Sequence, residues 1–271
     1  MSSSHHIIIS ISSDIGFALA KKWLNEGHSV TGTFRTRSLL CDELEDMGAN
    51  LVPCDLEDKT SINSAITSIK SGMHWNTLTI ATGNQEPVGK FLTCNFESWH
   101  QSINVNFINQ LKIVHGLMNH KSALQSSVLF FAGGGTNNAT VDYSAYTISK
   151  IALIKMVELL DEEISDTTFS ILGPGWVKTK IHDSTLNAPE RAGENYHKTI
   201  QMLENNGAAC YPIEKVIECC DWLLSSPREL VGGRNFSAVN DPWESDSIEL
   251  ILNDSNLFKL RRYGNDFFEI K

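Results

Sequence analysis

The chain has 271 residues, 41% of them hydrophobic and 20% charged, with a formal net charge of −10. That length can bury a sizeable core, and the acidic balance argues against a nucleic-acid or anionic-membrane partner. No apolar run reaches the length of a membrane span, and the opening MSSSHH lacks a signal-peptide core.

In chain order, short apolar runs alternate with longer amphipathic segments. This pattern predicts an α/β fold built on a doubly wound parallel sheet of about seven strands, with helices on both faces. A strand over Ile7–Ser10 leads through a polar turn into a helix over Ile15–Glu26, and His5-His6 reads as a polar start before that strand. Strands at Ser29–Phe34 and Asn50–Pro53 flank a helix over Ser38–Met47; Gly27 and Gly48 end helices where a left-handed residue is cheap. A helix over Lys59–Ser71, a strand at Thr77–Ala81 and a long helix over Phe96–His120 follow. Next come a strand at Ser127–Ala132, a helix over Tyr143–Ser165 and a strand at Thr168–Gly173, which Pro174-Gly175 stops. A helix over Ile213–Ser225 and a short strand at Asn235–Ser237 complete the set. Residues 1–271 read as a single domain. The polar, strandless stretch around 180–212 is expected to form a flap over a site, with a C-terminal tail from about 238.

The six cysteines, Cys41, Cys54, Cys94, Cys210, Cys219 and Cys220, show no CxxC and no metal-ligand spacing. Free thiols, no metal and a reducing cytoplasm are the expectation.

Two stretches carry chemistry. In IIISISSDIG, a strand runs into a turn and a helix, so free backbone N–H groups and the positive helix end gather at one point, which suits a pyrophosphate. A dinucleotide turn normally carries glycines that let phosphate approach the backbone. Here Ser10 and Asp14 replace two of them and Gly16 remains, so Asp14 either leaves the anion site open or fills it as a helix cap. The second stretch is Tyr146-Thr-Ile-Ser-Lys150. On a helix the phenol and the ammonium share a face, and the cation would draw the tyrosine pKa down from about 10. The plainer alternative is a surface lysine beside a half-buried tyrosine.

The order of these motifs resembles the short-chain dehydrogenase/reductase family in its compact one-domain branch, over nearly the whole chain. ISSDIG stands at the family's TGxxxGIG turn, Asp55-Leu56 after the third strand at the adenine-facing Asp, and Ala81-Thr82-Gly83 at its Asn-Ala-Gly. Asn106 in INVNFINQL matches the helical asparagine of the proton relay, 40 residues before Tyr146, and PGWVKT matches the PGxVxT segment. The resemblance implies a Rossmann-like sheet and a nicotinamide cofactor held by Ser10, Ser12, Ser13, Asp14, Ile15, Gly16, Asp55, Leu56, Ala81, Thr82, Gly83, Pro174, Gly175, Val177 and Thr179. It also implies Tyr146 as general acid, Lys150 binding the nicotinamide ribose, and Asn106 holding a water that links Lys150 to solvent. At the end of the second strand, Phe34 cannot bind ribose hydroxyls as an acid would, whereas Arg35 can pair with a 2′-phosphate, so NADP(H) is favoured over NAD(H).

Other features depart from the family pattern. The catalytic serine falls at Ala132 or Gly133 in FFAGGGTNN, and the nearest hydroxyl in sequence is Thr136. Loss of one such donor costs on the order of 10²–10³ in rate, which a backbone N–H of Gly133–Gly135 is able to offset in part. The expected function is an NADP(H)-dependent oxidoreductase acting on a carbonyl or secondary alcohol. The alternative is a weakened or inactive member of the fold serving as nucleotide sensor or scaffold. The polar flap, with His182, Asp183, Arg191 and Lys198, suits a hydroxylated or charged small-molecule substrate, and a solvated helix pair is the other reading. The tail VGGRNFSAVNDPW resembles members found in surface-polysaccharide gene clusters, which suggests a sugar or sugar-nucleotide; Trp176 and Trp243 are candidates to stack on it. Apolar positions on the Phe96–His120 and Tyr143–Ser165 helices (Val105, Phe107, Leu111, Val114, Leu117; Ile151, Leu153, Ile154, Val157, Leu160) exceed what one sheet face needs, so a homodimer or homotetramer is expected.

Overall fold

Seven parallel strands in the order β3-β2-β1-β4-β5-β6-β7 form the centre of the computed structural model, which describes residues 3–123 and 126–264. They are β1 (His5–Ile9), β2 (Ser29–Phe34), β3 (Asn50–Pro53), β4 (Thr77–Ile80), β5 (Ser126–Phe131), β6 (Thr167–Gly173) and β7 (Asn235–Ser237). The chain builds outward from β1 to β3, then crosses back to lay β4 on the other side of β1. That reversal opens a crevice beyond the carboxyl ends of β1 and β4, where ligands bind in sheets of this kind.

Each strand alternates its side chains between two apolar layers. Ile7, Ile9, Leu78, Ile80, Val128 and Phe130 face α3 (Lys59–Lys70), α5 (Asn109–Leu117) and α6 (Ser144–Glu163). Ile8, Val30, Leu129, Phe131 and Leu172 face α1 (Asp14–Asn25), α2 (Leu39–Asp46) and α10 (Ile213–Ser225). With both faces covered, the strands read as continuous hydrophobic runs.

Three features differ from the sequence reading. β1 begins at His5, so His5 and His6 lie inside the strand and are buried. Their ring nitrogens find the Thr31 and Thr77 hydroxyls at 2.9 and 2.7 Å, which is how a polar pair enters a sheet. The long helix from Phe96 is not continuous: α4 (Phe96–Ile103) passes through a π-helical turn at Asn104–Ile108 before α5. The stretch after β6 holds α7 (Asp183–Leu186), α8 (Pro189–Ala192) and α9 (Glu194–Gly207), so it is strandless and largely helical. α11 (Arg228–Val231) precedes β7. Trp243 is core: it is buried and its indole donates to Ala238 O at 2.9 Å, so it offers no platform to a ligand.

Gly16 shows why one glycine of the turn survives. A Cβ there would lie 2.6 Å from the Ser10 carbonyl oxygen and 2.8 Å from Ser13 Oγ. Backbone cannot yield to such a contact, so Gly16→Ala is expected to destabilise the protein by about 1–3 kcal/mol, read as a lower midpoint in urea unfolding.

Candidate active site

The crevice is a continuous cleft of about 1440 Å³ lined by the turn after β1, the end of β2, the loops after β3, β4, β5 and β6, and the start of α6. Every expected cofactor and catalytic position except Gly16 and Asn106 lines it. Gly16 lies buried behind the turn, and Asn106 is buried behind the loop after β4.

In the turn, Ser13 caps α1 by accepting the Gly16 N–H at 3.1 Å, which leaves Asp14 free of that role. Asp14 instead reaches across to accept the Lys180 N–H at 2.8 Å. Among the described residues, the N–H groups of Ser12, Asp14 and Ile15 have no acceptor within the protein. Ser10 adopts a left-handed φ of 66°, the conformation the missing glycine supplies without strain. Its hydroxyl meets the Thr82 hydroxyl at 2.8 Å. Two departures from the family pattern are thus each other's partner, and together they tie the β1 and β4 turns.

At the end of β2 the two arginines part. Arg37 is neutralised by Asp42, at 2.8 Å, and by Glu45, and lies outside the cleft. Arg35 is exposed, lines the cleft and makes no ion pair among the described residues, while Phe34 turns into the core. After β3, the Asp55 carboxylate accepts the Glu57 N–H at 2.9 Å, and Leu56 O accepts from Asn109 Nδ2 at 2.7 Å, which fixes that wall.

Tyr146 and Lys150 sit one turn apart on α6, with Lys150 Nζ 5.7 Å from the Tyr146 ring centroid. Lys150 donates to Thr82 O at 3.0 Å and Phe131 O at 2.9 Å, so its ammonium bridges the ends of β4 and β5. Tyr146 is 8% exposed and Lys150 1%. Burial therefore dominates: it pushes the phenol up to about 12 and the ammonium down to about 7. This corrects the expectation that the cation lowers the tyrosine pKa, because desolvation disfavours both charged forms. The sign for stability follows. Between about pH 7 and 10.5 the unfolded chain binds more protons at Lys150 than the folded one, so stability rises with pH there, while below about 7 the burial cost is fully present. Lys150→Met is expected to flatten that slope, and wild-type stability relative to the variant should gain up to about 1.4 kcal/mol per pH unit above neutrality in thermal melts.

Asn106 sits in the π-helical turn, a distortion frequent at functional sites. Its amide is committed: Oδ1 accepts the Asn84 N–H at 2.9 Å, while Nδ2 donates to Asn84 O at 2.8 Å and Ser102 Oγ at 3.1 Å. Through these bonds the side chain clamps the loop after β4.

Ala132 and Gly133 carry no hydroxyl. A Cβ at Gly133 would lie 2.8 Å from both Cε1 and the hydroxyl of Tyr146, so the phenol occupies that space. The hydroxyl packed at the glycine run is Thr140, not Thr136: it lies 3.2 Å from a Cβ built at Gly135. Residues 137–140 read as loop, and only tertiary folding brings Thr140 back. Sequence reasoning also missed Ile181, which lies 3.1 Å from a Cβ built at Gly83 and packs with Val88, Tyr143 and Tyr146. In the segment after β6, Trp176 stacks on His182 at 4.4 Å and remains 39% exposed in the cleft, while His182 Nε2 donates to Val177 O at 2.9 Å.

These residues fit a dinucleotide: unpaired N–H groups at a helix start, a cation at the end of β2, and a buried Tyr-Lys pair beyond the switch between β1 and β4. The family model for short chain dehydrogenases matches residues 4–190. The chain belongs to the short-chain dehydrogenase/reductase family, whose general function is oxidoreductase chemistry with nicotinamide cofactors. It is similar to an uncharacterized oxidoreductase of Schizosaccharomyces pombe, at 23% identity over 68% of this chain and 70% of that one. Among solved structures, a short-chain dehydrogenase/reductase from Saccharomyces cerevisiae superposes with a TM-score of 0.76 at 21% identity, over 90% of this chain and 99% of that one. An actinorhodin polyketide ketoreductase with NADPH reaches 0.72 at 18% identity, over 87% and 95%. Among the described residues, no helix is long and apolar enough to cross a membrane, and no group of three or more His, Cys, Asp or Glu could hold a metal ion.

Proposed function

We propose that the protein is an NADP(H)-dependent oxidoreductase that reduces a carbonyl or oxidises a secondary alcohol, with Tyr146 as its general acid/base. The observation that carries this reading is the buried Tyr146–Lys150 pair lining the cleft at the carboxyl ends of β4 and β5. The turn residues Ser10, Ser12, Ser13, Asp14, Ile15 and Gly16 would hold the pyrophosphate, and Arg35 the 2′-phosphate. Asp55 and Leu56 would border the adenine, and Ala81, Thr82 and Gly83 the ribose side. Pro174, Gly175, Val177 and Thr179 would hold the nicotinamide end, with Lys150 at its ribose. When bound, the cofactor supplies hydride.

The chain's own part is placement and proton transfer. A phenol held protonated up to about 12 is in the form a carbonyl oxygen needs as hydride arrives. Thr140, packed at the Gly133–Gly135 run, and that run's backbone N–H groups would supply a second donor to that oxygen. Asn106 keeps the loop bearing Asn84 in place while the proton moves.

The substrate end of the cleft is rich in hydroxyl and amide groups, including Gln85, Thr140, Ser184, Thr185 and Asn195, with Lys198 as a cation and Trp176 as an exposed ring. That lining suits a hydroxylated substrate such as a sugar or sugar-nucleotide. The test is a panel of keto-sugars and simpler ketones with NADPH, read by loss of reduced-cofactor absorbance and product mass; no turnover of any member counts against it. The lack of a hydroxyl at Ala132 and Gly133 favours the second reading: a nucleotide sensor, which predicts NADPH binding without turnover, or a scaffold, which predicts neither.

Six of the ten apolar residues first assigned to a subunit interface (Val105, Val114, Leu117, Leu153, Ile154, Val157) belong to the core. Ile108, Ile148 and Leu159 remain exposed on the same helices and support a homodimer or homotetramer. The six cysteines are free thiols, which fits a reducing cytoplasm.

A further inference from the structure

Resting on the cofactor reading above, we propose that Asp14 is a positioning residue that straps the flap to the dinucleotide turn. Asp14 belongs to the first turn of α1, yet its Oδ2 accepts the N–H of Lys180, at the base of the flap, at 2.8 Å. Helix capping does not explain the contact, because Ser13 already fills that role.

Other ties of the flap reach elements other than the α1 turn. Thr185 Oγ1 meets the Tyr143 hydroxyl at 2.7 Å, Arg191 donates to Val88 O at 2.8 Å, and Asn195 donates to Val141 O at 3.2 Å. Ile181, Ala188 and Ala192 add apolar contact to Val88, Tyr143 and Tyr146. Among the described residues, Asp14 makes the one hydrogen bond that joins the flap to the α1 turn. Asp14 and Lys180 both line the cleft, so the bond closes its wall between the turn and the segment after β6. The bond needs an acceptor oxygen at this position and no charge, since its donor is the Lys180 backbone N–H. The side chain that replaces the turn's glycine thus couples cofactor exchange to flap opening.

The experiment uses three full-length proteins: wild type, Asp14→Ala and Asp14→Asn. NADPH release is followed by stopped-flow fluorescence, and backbone exchange at Lys180 by hydrogen–deuterium exchange. Asp14→Ala is expected to release NADPH about tenfold faster and to exchange Lys180 faster. Asp14→Asn keeps an acceptor oxygen and is expected to stay near wild type in both. Unchanged rates in Asp14→Ala overturn the strap. Equal behaviour of the two variants also overturns it, because the charge and not the bond is then at work. If none of the three binds NADPH, the cofactor reading falls, and exchange at Lys180 alone decides the strap.

Discussion

Tyr146→Phe is expected to lower turnover by about 10²–10⁴-fold while leaving NADPH affinity essentially unchanged. Phenylalanine keeps the ring that packs with Val88, Tyr143 and Ile181, so the cleft and the fold survive the change. What disappears is the hydroxyl that stands beside Gly133, on the ring next to Lys150. With no serine at Ala132 or Gly133, fewer groups share the work of protonating the oxygen, which places this variant toward the severe end of the range. Steady-state kinetics beside equilibrium cofactor binding make the check. A variant that keeps wild-type turnover removes Tyr146 from the chemistry.

Arg35→Ala is expected to weaken NADPH binding by about 10–100-fold and to leave NADH binding unaltered, since a bond to a charged group contributes roughly 1.5–3 kcal/mol. The specificity of this effect comes from the contrast with Arg37. Arg37 is held by Asp42 and Glu45 on α2 and lies outside the cleft, so Arg37→Ala should change neither affinity. Isothermal calorimetry on the two variants with both cofactors separates the cases. Equal losses for NADPH and NADH in Arg35→Ala would mean that the residue supports the fold of the β2 end and reads no phosphate.

The parts of this molecule legible in the sequence are those whose physics is local. Strands buried on both faces show as apolar runs, and β2, β3 and β7 carry the limits their residues suggest. Tyr146 and Lys150 are linked by helical spacing alone, and the line-up of turn, asparagine and PGWVKT placed nearly every cofactor position on one cleft. What stayed hidden depends on the third dimension. Burial raises the Tyr146 pKa where a neighbouring cation was expected to lower it, and no spacing reveals that both groups are cut off from water. Ser10 looked like damage to the turn, and its compensation is Thr82, 72 residues away. His5 and His6 looked polar and terminal, but threonine hydroxyls of neighbouring strands draw them inside. The packing of the flap on Tyr143 and Tyr146 stayed hidden because scattered residues such as Ile181 and Ala192 carry it.

Calorimetric titration of the wild-type protein with NADPH and then NADH tests the central claim most directly. The cleft described here predicts NADPH binding in the micromolar range, about −8 kcal/mol, with NADH at least roughly tenfold weaker. Absence of binding by both would show that the space before the α6 phenol and ammonium does not receive a nicotinamide dinucleotide, and would contradict the account at its root.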